Sequence, residues 1–285
     1  MAVPALHALK SSRSRLSLTV MTIRHPLFRD LWKHNLDVDE VLFSSLHSNP
    51  RYGHPSFWLH DYWVIRRDIR QAVKTYGFTE VYFVKMFLTP AKVYAHLPFR
   101  RYREHKVFHI AHELGVTVAD PRYTLKYGDD DRRWARDFLK QHNLDKDIVV
   151  GLHFRGSSAN KSLPRESQKR IIHSLRSLGY QLVLFDSAEG RKSYHPSPDV
   201  APCFSDSILH AAALIGQCAF LVCVDSGAGH IAAALNKPLF SIYFRDVWMQ
   251  NSLALGDSVH PYLYTGDVDT LVERIKNFAQ QSRSL

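Results

Sequence analysis

The chain has few cysteines, and their spacing matches no known site. Cys203, Cys218 and Cys223 are the only ones in 285 residues, and no two of them are separated by the two residues of a zinc or redox motif. The number is odd, which argues against a disulfide framework. We therefore expect reduced thiols packed in the core of a cytoplasmic protein.

Long hydrophobic runs are also missing. No apolar run approaches the roughly 20 residues that a membrane-spanning helix needs. The first nine residues are too short and too weakly apolar for a signal peptide. With 45% hydrophobic and 22% charged residues, the composition is that of a globular protein.

Several familiar catalytic motifs are absent. The sequence contains neither a P-loop nor a Gly-x-Gly-x-x-Gly motif. His105, His109 and His112 share one helix face, but no His-Glu-x-x-His pattern accompanies them, and Asp129 to Asp131 are better explained as a helix N-cap cluster. The turn at residues 225–229 lacks the first glycine of a Gly-x-Ser-x-Gly nucleophile elbow. No metal site, cofactor site or serine hydrolase is predicted.

Positive charge is concentrated in the first half of the chain. Residues 1–146 hold 24 Lys and Arg against 15 Asp and Glu, whereas residues 147–285 hold 13 against 12. This asymmetry favours an anionic partner for the first half, such as a phosphorylated glycolipid, an acidic membrane surface or nucleic acid. A merely solubilising surface is the alternative. Aromatic and basic residues do not alternate as in nucleic-acid-binding proteins, so no nucleic-acid partner is expected.

Segments typical of strands and helices alternate along the whole chain, which predicts an α/β fold with parallel sheets. The polar stretch 143–147 suggests a boundary between an N-terminal domain, residues 1–146, and a second domain, residues 147–267. A last helix, within residues 268–285, would pack back on the first domain. The predicted helices are 4–10, 26–33, 63–76, 89–97, 106–114, 129–142, 165–178, 206–217 and 268–281, and the predicted strands are 16–22, 39–44, 80–86, 148–153, 180–185, 220–224 and 239–243.

The most informative stretch is residues 220–243. Five apolar residues, Phe220 to Val224, predict a buried strand, and the glycine-rich turn 225–229 leads into a helix of small residues. A helix that begins at such a turn presents unpaired N–H groups and its positive dipole end to an anion such as a diphosphate. An ordinary turn with nothing bound is the alternative. Suggestive polar residues follow three strands, at 153–161, 186–189 and 225–230, and parallel strands bring such ends to one edge of the sheet.

The residues of this stretch also carry a family resemblance. Residues 224–235, Val-Asp-Ser-Gly-Ala-Gly-His-Ile-Ala-Ala-Ala-Leu, with Lys237 and Pro238, resemble the pattern Val-Asp-Thr-Gly-x-x-His-x-Ala-Ala-Ala-Leu-x-x-Pro. That pattern belongs to the family 9 glycosyltransferases, the heptosyltransferases of bacterial lipopolysaccharide core assembly. Residues 153–164 are similar to the family's loop of small hydroxyl residues, a lysine and Trp-Pro. Residues 4–10 and 38–42 match as well.

The resemblance implies the GT-B fold, in which two doubly wound Rossmann-like domains face a central cleft. It implies a nucleotide-sugar donor, ADP-heptose in the best-known members, and an anionic glycolipid acceptor of the Kdo–lipid A type. Family members need no metal. Donor contacts would come from the second domain and acceptor contacts from the basic first domain. The donor residues so implied are Ser157, Ser158, Lys161, Asp186, Glu189, Asp225, Ser226, Gly227, Ala228 and His230, and the acceptor residues are Arg66, Arg67, Arg100, Arg101 and Arg103.

Within that set the expected roles differ. Ser157 and Ser158 can donate hydrogen bonds to phosphate oxygens, and Lys161 can supply a positive charge to the diphosphate. Asp186 and Glu189 compete for the ribose hydroxyls. Asp225, Ser226, Gly227 and Ala228 lie at the helix start, where the carboxylate would meet the hydroxyls of the transferred sugar. His230 could contact phosphate or simply pack at the start of its helix.

Two features depart from the family pattern. The family opens with a strand and a Ser-x-x-Gly-Asp turn whose aspartate resembles a general base, whereas here Met1 to Pro4 already lie in the first helix. We therefore expect the base and the first strand of the N-terminal domain to precede Met1, through a late start or a truncation, unless another group has replaced them. Tyr243 to Asp246 stand where the family tends to have Gly-Pro-Thr-Asp-Pro, which affects recognition of the donor sugar.

The predicted function is that of an inverting, metal-independent glycosyltransferase. It would move a heptose from a nucleotide-sugar donor to a lipopolysaccharide inner-core acceptor, in the cytoplasm and in peripheral contact with the inner membrane. The alternative is a truncated, non-catalytic homologue that binds a nucleotide or an anionic glycan.

Overall fold

The computed structural model describes residues 3–13, 16–24, 32, 34–47, 55–81, 105–156, 158–186, 199–205 and 207–282. Its contacts divide the chain into two compact units, Met1–Pro121 and Arg122–Leu285. Among the described helices, none combines the length and the apolar character that a membrane crossing requires.

The first unit contains two parallel strands and three helices in its described part. The elements are α1 (Val3–Ser12), β1 (Thr19–Arg24), β2 (Glu40–His47), α2 (Pro55–Tyr76) and α3 (Lys106–Glu113). Strand β1 pairs with β2, with Thr19 opposite Glu40. Helices α1 and α3 pack together through a small apolar core that includes Leu6, Leu9 and Ile110.

Asp39 joins the first helix of this unit to the start of its sheet. Its carboxylate accepts hydrogen bonds from Lys10 Nζ at 2.7 Å and from the Leu18 N–H at 2.7 Å. These two bonds, the one from Lys10 first, hold the pKa of Asp39 below its usual value. The predicted helix 26–33 apart from residue 32, the predicted helix 89–97 and most of the predicted strand 80–86 lie outside the described residues.

The second unit is built on a six-stranded sheet. Its strands are β3 (Val149–His153), β4 (Gln181–Phe185), β5 (Val200–Cys203), β6 (Phe220–Val224), β7 (Leu239–Tyr243) and β8 (Val259–Leu263). All of them are parallel, in the order β5-β4-β3-β6-β7-β8. Its helices are α4 (Asp129–Gln141), α5 (Arg165–Ser177), α6 (Ile208–Gln217), α7 (Gly227–Ala234), α8 (Asp246–Ser252) and α9 (Val268–Ser282). The predicted α/β class and parallel sheet are confirmed.

Strands β3, β6 and β7 run through the centre of the sheet. Each residue of β6 and β7 is buried, which explains why both were visible as short continuous apolar runs. Strands β5 and β8 were not predicted. They are the two edge strands, and each contains a proline, Pro202 and Pro261, which only an edge strand tolerates well.

The last helix completes the core of the second unit. We expected residues 268–285 to pack back on the first domain. Instead, Leu271, Ile275 and Phe278 of α9 belong to the core that surrounds Phe220. The buried hydroxyl of Tyr180 donates to the Ala279 carbonyl at 2.8 Å. The amphipathic face of α9 is therefore used to cover the sheet of its own unit.

The division between the units falls before α4, at residues 121/122, and not at the expected 146/147. The reason is that α4 packs on α6. The Trp134 indole stacks on the His210 ring with 4.5 Å between centroids and 7° between planes, and Asp131 Oδ1 lies 3.7 Å from His210 Nε2. Asp131 also accepts from the Gly128 N–H at 2.8 Å, so the acidic cluster caps α4 as predicted.

All three cysteines are buried in the second unit and free. Burial raises the pKa of Cys203, Cys218 and Cys223 to about 12 in each case, so the reactive thiolate is scarce near neutral pH. We expect an aromatic disulfide reagent to modify the native chain very slowly, and three thiols to react at once after denaturation. Rapid reaction of any thiol in the native chain would contradict the packing described.

Candidate functional site

The order of the strands creates a crevice at one end of the second sheet. The chain runs outward from β3 through β4 to β5, returns to β6 on the other side of β3, and continues outward through β7 to β8. The crossovers from β3 and β6 therefore diverge, and the carboxyl ends of these two strands, with His153 opposite Cys223, lie at the switch point. In open parallel sheets this is the place where ligands bind.

One wall of the crevice is the loop that follows β3. It closes on itself, since the Leu163 N–H donates to the Phe154 carbonyl at 3.0 Å and the Lys161 N–H to the Ser158 carbonyl at 3.0 Å. Gly156 lies at its narrowest point. A Cβ at this position would come within 2.6 Å of the Lys161 carbonyl oxygen. The close approach of Gly156 thus fixes the turn from which the Lys161 side chain projects.

The second wall is the turn after β6 together with the first residues of α7. The Asp225 N–H donates to the Ile242 carbonyl at 2.9 Å, which joins the turn to β7. Ser226 occupies the N-cap position without a side-chain capping hydrogen bond, so the N–H groups of the first turn are left to a ligand or to solvent. Gly229 allows α7 to lie against β6, because a Cβ there would lie 3.0 Å from Cys223 Sγ.

Lys161 and Asp225 connect the two walls. Lys161 Nζ lies 2.5 Å from Asp225 Oδ2, with the lysine side chain 22% exposed and the aspartate side chain 7% exposed. Charge-assisted hydrogen bonds of this kind are stronger than neutral ones. The sequence predicted both residues for the site, and the structure brings them together although they are far apart in the chain.

Helix α8 contributes a third group of residues to the same place. Lys161 Nζ lies 4.4 Å from the centroid of the Trp248 ring, and the Arg245 guanidinium carbon lies 5.0 Å from that centroid. Ser252 Oγ lies 2.7 Å from the Trp248 carbonyl and 3.3 Å from Asp225 Oδ1, and its single proton can be donated to either acceptor. Trp248 and Ser252 were not predicted, because α8 carries no motif, whereas Arg245, the N-cap of α8, lies in the segment 243–246 that departs from the family pattern.

His153 and Asp186 lie at the ends of the neighbouring strands β3 and β4. Arg155 Nη1 is 3.6 Å from Asp186 Oδ2, so the predicted ribose-binding carboxylate has a cation beside it. Burial lowers the pKa of His153, and the charge of Asp186 opposes this shift in part. The ring of His153 is thereby kept neutral to a lower pH than an exposed histidine.

His230 packs against a residue that sequence reasoning missed. The Tyr123 ring meets the His230 ring edge to face, with 5.3 Å between centroids and 84° between planes. Tyr123 is only 6% exposed, and its hydroxyl makes no hydrogen bond with the described residues. Burial raises the pKa of Tyr123 well above its usual value, so the phenol stays protonated.

The remaining predicted residues are placed as follows. Ser158 is exposed, and its Oγ donates to Asn160 Oδ1 at 2.5 Å. Arg66 and Arg67 lie on α2 in the first unit, with exposed side chains, and Arg67 Nη2 lies 3.1 Å from Asp68 Oδ1. Five predicted residues lie outside the described part of the chain: Ser157, Glu189, Arg100, Arg101 and Arg103.

No cluster of three or more His, Cys, Asp or Glu side chains suited to a metal ion occurs among the described residues. His105 is the N-cap of α3 and its Nδ1 accepts from the Val107 N–H at 3.2 Å, so this imidazole serves the helix end.

The lowered pKa of His153 predicts a loss of stability in mild acid. The unfolded chain binds a proton at His153 near pH 6.5, whereas the folded chain binds it only at a lower pH. The free energy of unfolding therefore falls as the pH drops below about 6.5, by up to about 1.4 kcal/mol per pH unit. His153→Asn should flatten this slope in urea titrations between pH 7 and pH 5. The matched control, His173→Asn at an exposed position of α5, should retain the slope; an unchanged slope in His153→Asn would contradict the assignment.

Comparison with solved structures shows the fold of the whole chain. A glycosyltransferase of family 9 from Veillonella parvula superposes with a TM-score of 0.73 at 15% identity, over 99% of this chain and 92% of that one. The E. coli ADP-heptose lipopolysaccharide heptosyltransferase II gives a TM-score of 0.68 at 16% identity, over 98% and 94%. E. coli heptosyltransferase WaaC with ADP gives 0.60 at 16% identity, over 99% and 95%. The fold is GT-B.

Sequence comparison gives the family. No curated protein sequence matches the chain at a significant level. The family model of glycosyltransferase family 9 (heptosyltransferase) matches residues 102–246, just over half of the chain, and this range includes the loop with Lys161 and the turn with Asp225. The resemblance seen in residues 153–164 and 224–238 is therefore confirmed: the chain belongs to glycosyltransferase family 9 and is a glycosyltransferase.

Proposed function

We propose that this glycosyltransferase moves a heptose from ADP-heptose to a lipopolysaccharide inner-core acceptor of the Kdo–lipid A type, with inversion and without a metal ion. The observation that carries the proposal is the Lys161–Asp225 pair at the switch point between β3 and β6, beside the open N-terminus of α7. It supports the proposal because this cation and the backbone donors beside it would receive a diphosphate, with a carboxylate next to them. Structures of the similar E. coli heptosyltransferase WaaC hold ADP and ADP-2-deoxy-2-fluoro heptose.

The second unit would bind the donor. The N–H groups of Gly227 and Ala228 and the positive end of α7 would receive the diphosphate, with Lys161, Ser157 and Ser158 around it. Asp186 or Glu189 would accept hydrogen bonds from the ribose hydroxyls. Asp225 would accept from hydroxyls of the transferred sugar, and His230 would lie beside the phosphate end of the site.

The chemistry would be a single displacement. The acceptor hydroxyl loses its proton to a base of the N-terminal domain, its oxygen bonds to the anomeric carbon, and the bond from that carbon to the diphosphate breaks, with the electron pair leaving on ADP. Attack from the face opposite the leaving group inverts the anomeric centre. Lys161 and the start of α7 would stabilise the charge on the leaving diphosphate, which is the task that a metal ion performs in other enzymes.

The first unit would bind the acceptor. Its excess of basic residues, 17 Lys and Arg against 10 Asp and Glu up to residue 121, suits a phosphorylated glycolipid at the cytoplasmic face of the inner membrane. Arg66 and Arg67 on α2, with Arg100, Arg101 and Arg103, are the proposed contacts. The non-catalytic alternative is not favoured, because the family match includes both walls of the donor site.

The two members of the central ion pair should respond in opposite ways when ADP binding is measured by calorimetry. Lys161→Ala should weaken binding by about 1.5–3 kcal/mol, the range of a hydrogen bond to a charged group. Asp225→Asn should bind ADP at least as tightly as the parent chain, because the amide neither repels the diphosphate nor retains the ammonium. Asp225→Asn should lose heptose transfer. The transfer assay of the parent chain is run with EDTA present, which tests for a metal requirement.

Absence of ADP binding by the parent chain would overturn the proposal. Equal weakening by both substitutions would show instead that the ion pair only maintains the fold. Thermal unfolding of both variants separates that case from a specific effect on the ligand.

The acceptor role of the basic residues is tested separately. Neutralising Arg100, Arg101 and Arg103 together should raise the KM for a Kdo–lipid A acceptor and flatten its salt dependence, since exposed charges are screened by salt. The KM for ADP-heptose should not change. Neutralising Arg132, Arg133 and Arg136 on α4 of the second unit is a matched control for lost positive charge. A rise in donor KM alone would reverse the assignment of the two domains.

A further inference from the structure

We propose that Trp248 is a positioning residue for Lys161. Its indole keeps the lysine ammonium at the switch point when the ammonium leaves Asp225 for a bound diphosphate. This inference rests on the proposed donor site, and it adds a residue from α8 that lies two positions beyond the end of the family match.

The first support is the position of the ammonium. Lys161 Nζ lies 4.4 Å from the centroid of the Trp248 ring while it is 2.5 Å from Asp225 Oδ2. A cation within about 6 Å of an indole centroid is attracted by the negative face of the ring, most strongly where water is partly excluded. The Lys161 side chain is 22% exposed, so its charge is held by these two groups in a partly dry setting.

The second support is that the Trp248 turn is tied to the carboxylate of the pair. Ser252 Oγ reaches Asp225 Oδ1 at 3.3 Å and the Trp248 carbonyl at 2.7 Å. The same hydroxyl therefore contacts the partner of Lys161 and the residue whose ring lies beside Lys161. Such a link keeps the indole in register with the ion pair, because α8 cannot shift without disturbing Asp225.

The third argument is electrostatic. A lysine on a flexible stem must be restrained if it is to meet a diphosphate, since an unrestrained side chain pays conformational entropy on binding. Asp225 restrains Lys161 but adds a negative charge that repels the diphosphate. The Trp248 indole restrains the Lys161 ammonium as well, but it carries no net charge and so does not repel the diphosphate. Arg245, whose guanidinium carbon is 5.0 Å from the same centroid, adds a second positive charge beside the ring and favours an anionic ligand there.

The test measures ADP binding to four chains: the parent, Trp248→Leu, Lys161→Met and the double variant. Trp248→Leu should weaken ADP binding in the parent background by about 3- to 30-fold, the range of a cation–π contact. Trp248→Phe, which keeps an aromatic face, should recover part of the loss. In the Lys161→Met background, Trp248→Leu should have no further effect, because the cation that the ring positions has gone.

The matched control is Trp134→Leu. It makes the same substitution in the same unit, but its indole stacks on His210 and not on Lys161. We expect it to lower the melting temperature and to leave the Kd for ADP unchanged. Comparing the melting temperatures of the two variants separates a loss of positioning from a loss of folded chain.

The outcomes are distinct. Equal weakening by Trp248→Leu with and without Lys161 would mean that Trp248 acts on the ligand or on the fold, and would overturn the inference. An unchanged Kd in Trp248→Leu, with a parent chain that binds ADP, would overturn the inference alone. A parent chain that does not bind ADP would overturn the proposed function and this inference together.

Discussion

The pairing of β3 with β6 is the constraint on which the candidate site depends. Two other strands, β4 and β5, lie between them along the chain, yet they are neighbours in register, with Val150 opposite Phe220 and His153 opposite Cys223. Because both strands are parallel and buried, their ends are fixed by the core and not by the loops. The loop with Lys161 and the turn with Asp225 therefore start from rigid positions a single strand spacing apart.

The contact between Lys161 and Asp225 has two effects on the ligand-free site: it pairs two charges, and it occupies the lysine ammonium. Each member of the pair compensates the charge of the other. A partly buried charge without a partner would raise the free energy of the folded chain. In the proposed donor site, a diphosphate would have to compete with Asp225 for the ammonium. Donor affinity would then be the difference between two charged contacts, and the groups beside the pair, Trp248 near Lys161 and Ser252 near Asp225, would affect that difference.

The strands and helices that could be predicted are those whose hydrophobic sequence pattern matches their burial in the fold. The central strands were predicted within about a residue because a buried parallel strand is a short apolar run. The edge strands were missed because Pro202 and Pro261 resemble loop residues, and α8 was missed because its seven residues carry no apolar periodicity long enough to detect. The last helix was recognised, but its partner was not, since an apolar stripe does not indicate which surface it will cover.

The residues of the candidate site also fall into two groups, those that a local sequence motif identifies and those that it does not. Lys161 and Asp225 belong to local motifs and could be selected from the sequence, while their mutual contact depends on the sheet order. Tyr123 and Trp248 could not be selected, because each reaches the site through the tertiary fold and neither lies in a motif. The assigned roles of the individual donor and acceptor residues stay predictions.

The packing of α4 on α6 has a practical consequence for dividing the molecule. A fragment that begins at residue 147, after the polar stretch, would lack Trp134 and Asp131 and would uncover the His210 face of α6. It would also lack Tyr123, and so leave the ring of His230 without its aromatic neighbour. A fragment meant to keep the second unit intact should therefore begin at Arg122, because residues 122–146 pack against that unit and do not form a linker.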